Sequence, residues 1–323
     1  MKYLASHWSS AWAVWVLCAA VATAHLAGLR HMAAARRPAG RAAESQSGAG
    51  SLVRETAAFY AGLAAATAAI ASPIGYWSGI YIWVRSMQDL LLAVVAPSLI
   101  VLGAPWAVLA AGAGWLSRRP AGERAEPGNR PPPAGRRTAW WLASPTGVAV
   151  AFTIVWLGWH VPALYDLGVT SAVARYAEYA VYLGAGIAFW LQLIGSRPSS
   201  PPAPALRRLV LLIGVIVADT ILGMVLVFGS ALLYPAYGGS AHHVLSVIAD
   251  QQVGGAVLWM GILPPFIIAA VALLNTWLEN EESDEFTHEL DRLTRRRAAG
   301  WASGKGLGTG AWPSRSGHRR PTI

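Results

Sequence analysis

The chain has 323 residues, 55% of them hydrophobic, only 13% charged and 16 of them Trp. Soluble domains carry about a quarter charged residues, so a soluble enzyme and a disordered chain are excluded. A single cysteine, Cys18, excludes an intrachain disulfide and a zinc site built on several thiolates. The net charge of +9 would suggest nucleic acid on a soluble chain, but its placement has a better explanation.

A membrane helix needs about 20 mostly apolar residues. Seven stretches qualify in chain order: 9–29, 56–76, 87–116, 144–161, 173–195, 209–232 and 249–277. The third is too long for one straight crossing, and Pro97 and Pro105 predict a kink or break inside it. All but three of the 25 basic residues (Lys2, Arg85 and Arg175) fall in alternate connections, 30–55, 117–139 and 196–208, and in the tail after 277. The positive-inside rule then predicts an all-α, seven-span helix bundle with the N-terminus outside and the C-terminus cytoplasmic. Such a chain is expected to be a multi-pass membrane protein, with lipid and not nucleic acid around it. A cleaved signal peptide over 1–24, ending at Ala22-Thr23-Ala24, is the competing reading. The charge of loop 30–55 favours an uncleaved first helix.

The organisation expected is a first helix at 1–29, a basic cytoplasmic loop at 30–55, a six-helix core at 56–277 and a cytoplasmic tail at 278–323. Loops 117–139 and 196–206 are Pro-rich and read as flexible connectors. In the tail, the acidic run Glu279–Asp291 extends the last helix for a few turns, and the basic Gly/Ser-rich remainder reads as disordered. No phosphate loop, dinucleotide fingerprint or zinc-protease motif occurs.

Ionisable side chains inside membrane spans are costly, and they mark candidate sites. On this topology they gather toward the outer leaflet: Arg85, Met87, Gln88 and Asp89 on span three; His160 at the end of span four with Tyr165 and Asp166 just beyond; Arg175, Glu178 and Tyr179 on span five; Met224 on span six; Asp250 and Gln251 on span seven. Asp219 lies nearer the midplane. Arg85 with Asp89 and Arg175 with Glu178 share helix faces and predict local ion pairs. Gly254-Gly255 predicts close helix contact. Met87, Met224 and Met260 are packing residues by default, and His242 and His243 read as solvated loop residues.

The same residues carry a resemblance. Ser72-Pro73, Gln88-Asp89-Leu90-Leu91-Leu92, Ala96-Pro97, Leu102-Gly103-Ala104-Pro105, the segment Trp159-His160-Val161-Pro162-Ala163-Leu164-Tyr165-Asp166, Phe189-Trp190, and Asp250-Gln251-Gln252-Val253-Gly254-Gly255 with Trp259 follow one another as in a known family. From about Ser72 to Trp277 the chain resembles the CtaG family of membrane-integral cytochrome c oxidase assembly factors. The resemblance implies a non-enzymatic role in maturing haem–copper oxidase, with oxidase subunits as partners and copper as the species delivered. It also implies histidine pairs four residues apart on spans three and five. Here those positions hold Arg85 and Asp89, and Arg175 and Tyr179. Arginine offers no lone pair, and a carboxylate is a hard donor for copper(I). The remaining candidate metal ligands are His160, Met87 and Met224.

The expected site is therefore the polar cluster Arg85, Gln88, Asp89, His160, Asp166, Arg175, Glu178, Asp250 and Gln251. In it His160 acts as ligand or donor, Asp166 orients the imidazole, and Asp250-Gln251 bonds across helices. Two other readings remain open at this point. One is a proton, cation or metal transporter using Asp89, Glu178, Asp219 and Asp250. The other is a structural membrane partner that has replaced a metal site by ion pairs.

Overall fold

The computed structural model describes residues 8, 11–36, 45–106, 108–111, 144–194, 203–239 and 245–302. Among these residues the chain is all-helical. Six helical stretches are long and apolar enough to cross a membrane, and seven if one bent pair counts as a span. The helices are α1 (Trp12–Arg36), α2 (Ser45–Ala71), α3 (Pro73–Trp77), α4 (Ile82–Leu90), α5 (Ala96–Leu102), α6 (Pro145–Trp159), α7 (Pro162–Thr170), α8 (Ala172–Ile194), α9 (Ala205–Phe228), α10 (Val247–Gly261) and α11 (Leu263–Ala302). Two compact units divide the chain, Met1–Leu274 and Asn275–Ile323. In the second, the helix runs to Ala302, through the basic Arg292–Arg297 stretch and further than the few turns expected. Loop 117–139, the connector 196–202, His242 and His243 and the tail from 303 lie outside the described residues.

Span three is the centre of the first unit. It runs from Ile82 to Leu102, shorter than the 87–116 stretch, and 78% of its most apolar window is buried, against 11% for α1. Pro97 explains its shape. Proline cannot donate to the carbonyl four residues back and clashes with it. The turn before it widens into a π-helical segment, Leu91–Val95, in which the Ala96 N–H reaches back five residues to the Leu91 carbonyl. Gly186 of α8 packs directly on this widened turn, where a Cβ would meet the Ala93 carbonyl and Pro97 Cγ.

The fourth span is broken rather than straight. Val161 is extended (φ −63°, ψ 130°), as the residue before a proline prefers. Pro162 then opens α7 at an angle of 69° to α6. Close packing elsewhere relies on glycine. A Cβ on Gly254 would stand 2.9 Å from Ile82 Cγ2 of α4, and one on Gly255 would stand 2.6 Å from Leu226 Cβ of α9. The adjacent glycines thus let α10 press against two helices at once.

Candidate functional site

Helices α4, α8 and α10 begin at one end of the bundle, and α6 and α9 finish there. The start of α4 is fixed from outside its own sequence. Tyr81 offers no side-chain cap. Asp250 of α10 fills that role instead, its Oδ2 accepting from the Ile82 N–H at 2.9 Å and its Oδ1 from the Trp83 N–H at 3.1 Å. A carboxylate at a helix N-terminus answers both the orphan donors and the helix dipole. The neighbouring Gln251 ties down the 229–239 loop, accepting from the Leu233 N–H (2.8 Å) and donating to the Ala231 carbonyl (3.2 Å).

With α4 so placed, Arg85 and Asp89 face the bundle interior. Arg85 does not pair with Asp89 along the helix as the four-residue spacing suggested. Its Nη2 donates across to α8, to Glu178 Oε1 at 2.7 Å and Oε2 at 2.6 Å, with both side chains buried. The guanidinium lies 4.1 Å from the centre of the Tyr165 ring, a cation–π arrangement. Arg175 likewise does not pair with Glu178. Its Nε donates to the Gly168 carbonyl (2.9 Å) and its Nη2 to the Val169 carbonyl (2.7 Å), closing the end of α7. Helix-local spacing misled here because the interior offers better partners across helices than along them. Gln88 donates to the Ala69 carbonyl (2.7 Å) and to the Tyr179 hydroxyl (3.0 Å), linking α2, α4 and α8.

His160 sits at the break between α6 and α7. Its Nδ1 lies 2.7 Å from the Trp156 carbonyl. A carbonyl only accepts, so Nδ1 carries the hydrogen and the Nε2 of the neutral ring presents a lone pair. The carboxylate it faces is Asp89, whose Oδ2 is 3.8 Å from Nε2, and not Asp166. Asp166 instead accepts from the Ala236 N–H (3.3 Å) on the loop opposite. Four atoms at this place have no hydrogen-bond partner among the described residues: Asp89 Oδ1 and Oδ2, His160 Nε2 and the Tyr165 hydroxyl. Below them Trp156 Nε1 donates to Asp219 Oδ1 at 3.0 Å, which connects the deeper carboxylate to the same string of residues.

An aromatic wall closes the cluster. Tyr165 stacks on Tyr234 with ring centres 3.9 Å apart, Tyr234 donates to the His160 carbonyl (3.1 Å), and Tyr237 donates to the Ser78 carbonyl (2.8 Å). Burial raises the Tyr234 and Tyr237 phenols above their ordinary range, so both stay protonated donors at neutral pH. Tyr182, whose hydroxyl lies 3.5 Å from His160 Nδ1, and Tyr234 and Tyr237 escaped the sequence reading because an isolated tyrosine has no spacing signal.

The soft donors do not converge. Met224 is 41% exposed on α9 and Met260 52% exposed on α10, whereas His160 is 4% exposed. Met87 is half-buried and lies about 200° around α4 from both Arg85 and Asp89, at ~100° per residue. Cys18 is between α1 and α2, 3.0 Å from Thr67 Oγ1. Among the described residues no group of three or more His, Cys, Asp or Glu side chains is placed to hold a metal ion. The donors at hand, one imidazole and one carboxylate beside a fixed cation, do not suit copper(I).

Neither a curated protein nor a solved structure gives a significant match to the chain. A family model does. The one described as cytochrome c oxidase caa3 assembly factor (Caa3_CtaG) matches residues 29–280, well over half of the chain and all of the elements that build the cluster, and the chain belongs to that family.

Proposed function

We propose that this assembly factor serves cytochrome c oxidase maturation as a non-catalytic membrane partner, working from the polar cluster at the end of the bundle that the positive-inside rule assigns to the outer leaflet. The cluster acts through an ion-paired scaffold and not through a bound copper ion. The observation that carries this reading is the pair Arg85–Glu178, buried at 2.6 Å. At a position where the family pattern carries a metal-binding histidine, this chain holds a fixed cation, and that cation is neutralised by a carboxylate on a neighbouring helix. Single removal of either partner leaves an uncompensated buried charge.

The test is complementation. In cells lacking the chain, assembled oxidase is measured from its haem spectrum and activity in isolated membranes. Glu178→Gln and Arg85→Met are expected to reduce assembled oxidase strongly. The pair Arg85→Met with Glu178→Met is expected to restore the level of the protein but not that of oxidase. Full oxidase with the double variant would show that the charges serve stability alone and would overturn the reading.

A proton or cation path has one observation in its favour. Asp219, Trp156, His160 and Asp89 follow one another from mid-span to the cluster, with hydrogen bonds at the Trp156 indole and carbonyl and a 3.8 Å gap between His160 and Asp89. On the far side, however, α9 carries only apolar residues from Leu209 to Ala218 before Arg208. That gap is about 16 Å along the helix. Proton flux in liposomes, abolished by Asp219→Asn, would favour this second reading.

A further inference from the structure

The Asp89–His160 place has all the marks of a site closed over in this structure. Its four unpartnered atoms are the two carboxyl oxygens of Asp89, the His160 Nε2 that faces one of them at 3.8 Å, and the Tyr165 hydroxyl. Buried polar atoms in native proteins are almost always paired. The hydrogen-bonding capacity of these four is unused among the described residues, and the Asp89 oxygens and the imidazole lone pair would take a donor or a cation. Both residues are buried, so anything that reaches them must pass a moving part.

α7 is that part. Its two buried residues, Tyr165 and Gly168, form the underside of a cover. The Tyr165 ring lies over Arg85 and tilts against His160 with ring centres 5.7 Å apart. A Cβ on Gly168 would press against Arg85 Nη2 and Glu178 Oε2, so the backbone of α7 rests directly on the ion pair. Its other face is solvent- or lipid-accessible, with Val161, Leu164 and Leu167 exposed. The segment is short and is bounded on both sides by extended residues, Val161 before Pro162 and Ser171 after Thr170. Such terminal positions are where hinges absorb backbone rotation.

Besides the packing of Tyr165 and Gly168 on Arg85 and Glu178, three contacts hold the cover down. Arg175 clasps the carbonyls of Gly168 and Val169. Asp166 Oδ1 accepts from the Ala236 N–H at 3.3 Å, and Tyr165 stacks on Tyr234. None is an ion pair: the first joins the cover to α8, and the other two join it to the 229–239 loop.

We propose that α7 is a hinged lid, turning about Val161 and Ser171, that opens to admit a hydrogen-bond donor or cation to Asp89 and His160. This rests on the reading of the cluster as the working site.

Carbethoxylation of His160 in the detergent-purified full chain reads opening directly, because the reagent attacks the imidazole lone pair. It is followed by mass spectrometry of the peptide. In wild-type protein the residue is expected to react slowly. Arg175→Gln, which releases the clasp, is expected to raise the rate about tenfold, and a disulfide formed by Asp166→Cys with Ala236→Cys in a Cys18→Ser background is expected to lower it about tenfold until reductant is added. Equal rates in all three proteins would overturn the lid. Should the disulfide fail to form, hydrogen exchange of α7 in wild type and Arg175→Gln decides: protection unchanged by the loss of the clasp also overturns it. If the lid opens and locks as stated, yet the locked chain still supports oxidase assembly in oxidising conditions, the lid stands and the working-site reading falls.

Discussion

Glu178 and Asp89 are both carboxylates shut away from solvent in the same cluster, and they differ in what faces them. Glu178 receives two short hydrogen bonds from Arg85. Asp89, one turn further along the same helix as Arg85, has no hydrogen-bond partner among the described residues and faces the lone-pair nitrogen of His160. The contrast separates two kinds of buried carboxyl group. A satisfied pair fixes helices and registers one against another, while an unsatisfied group marks a place where something else is accommodated. The α4–α8 side of the cluster is built to stay as it is. The α4–α6 side, beneath α7, is built to receive.

If that division holds, substitutions on the two sides must behave differently. The largest effect is expected for Glu178→Ala, which strands Arg85 and should cost about 3–5 kcal/mol in thermal unfolding of the detergent-solubilised protein, with Arg85→Met beside it recovering most of the loss. Failure of the second change to rescue the first would break the comparison. Gly168→Ala follows, at about 1–3 kcal/mol, because its methyl group presses on the same ion pair. Asp250→Ala removes two hydrogen bonds from the start of α4 and is expected to cost about 1–2 kcal/mol, with Asp250→Asn milder because an amide oxygen still accepts. Asp89→Asn is expected to leave unfolding within about 0.5 kcal/mol of wild type or to stabilise it, since no hydrogen bond is lost, while oxidase assembly falls. A loss of several kcal/mol there would mean that Asp89 belongs with Glu178 after all. Smallest of all is Met224→Leu on the outer face of α9, which should change neither stability nor assembly measurably.

Some of this was legible in the sequence and some was not, for identifiable reasons. Alternation of basic loops and apolar spans is set by the bilayer itself, so the number of spans and the gathering of Arg85, Asp89, His160, Glu178 and Asp250 at one end followed from spacing alone. Partner choice did not follow. The spacing of Arg85 and Asp89 favours a local pair, but the true partner depends on how α4 and α8 are turned about their axes, which no local pattern records. Asp166 next to His160 in sequence suggested an orienting carboxylate. The break at Val161-Pro162 carries it away toward Ala236 and leaves the imidazole facing Asp89. Pro162 was visible as the end of a span, yet nothing in the residues after it announced a separate helix lying over the cluster. Asp250 is the opposite case. Its bonding across helices was expected from the sequence, but not that its partner would be the N-terminus of α4.

Copper(I) stoichiometry bears most directly on the account, measured on the purified full chain by competition with a chromophoric chelator and compared with His160→Ala. The ion-paired scaffold predicts no copper above the detergent blank in either protein. One tightly held copper per chain, lost in His160→Ala, would contradict it and would mean that the cluster keeps a metal site despite Arg85 and Asp89.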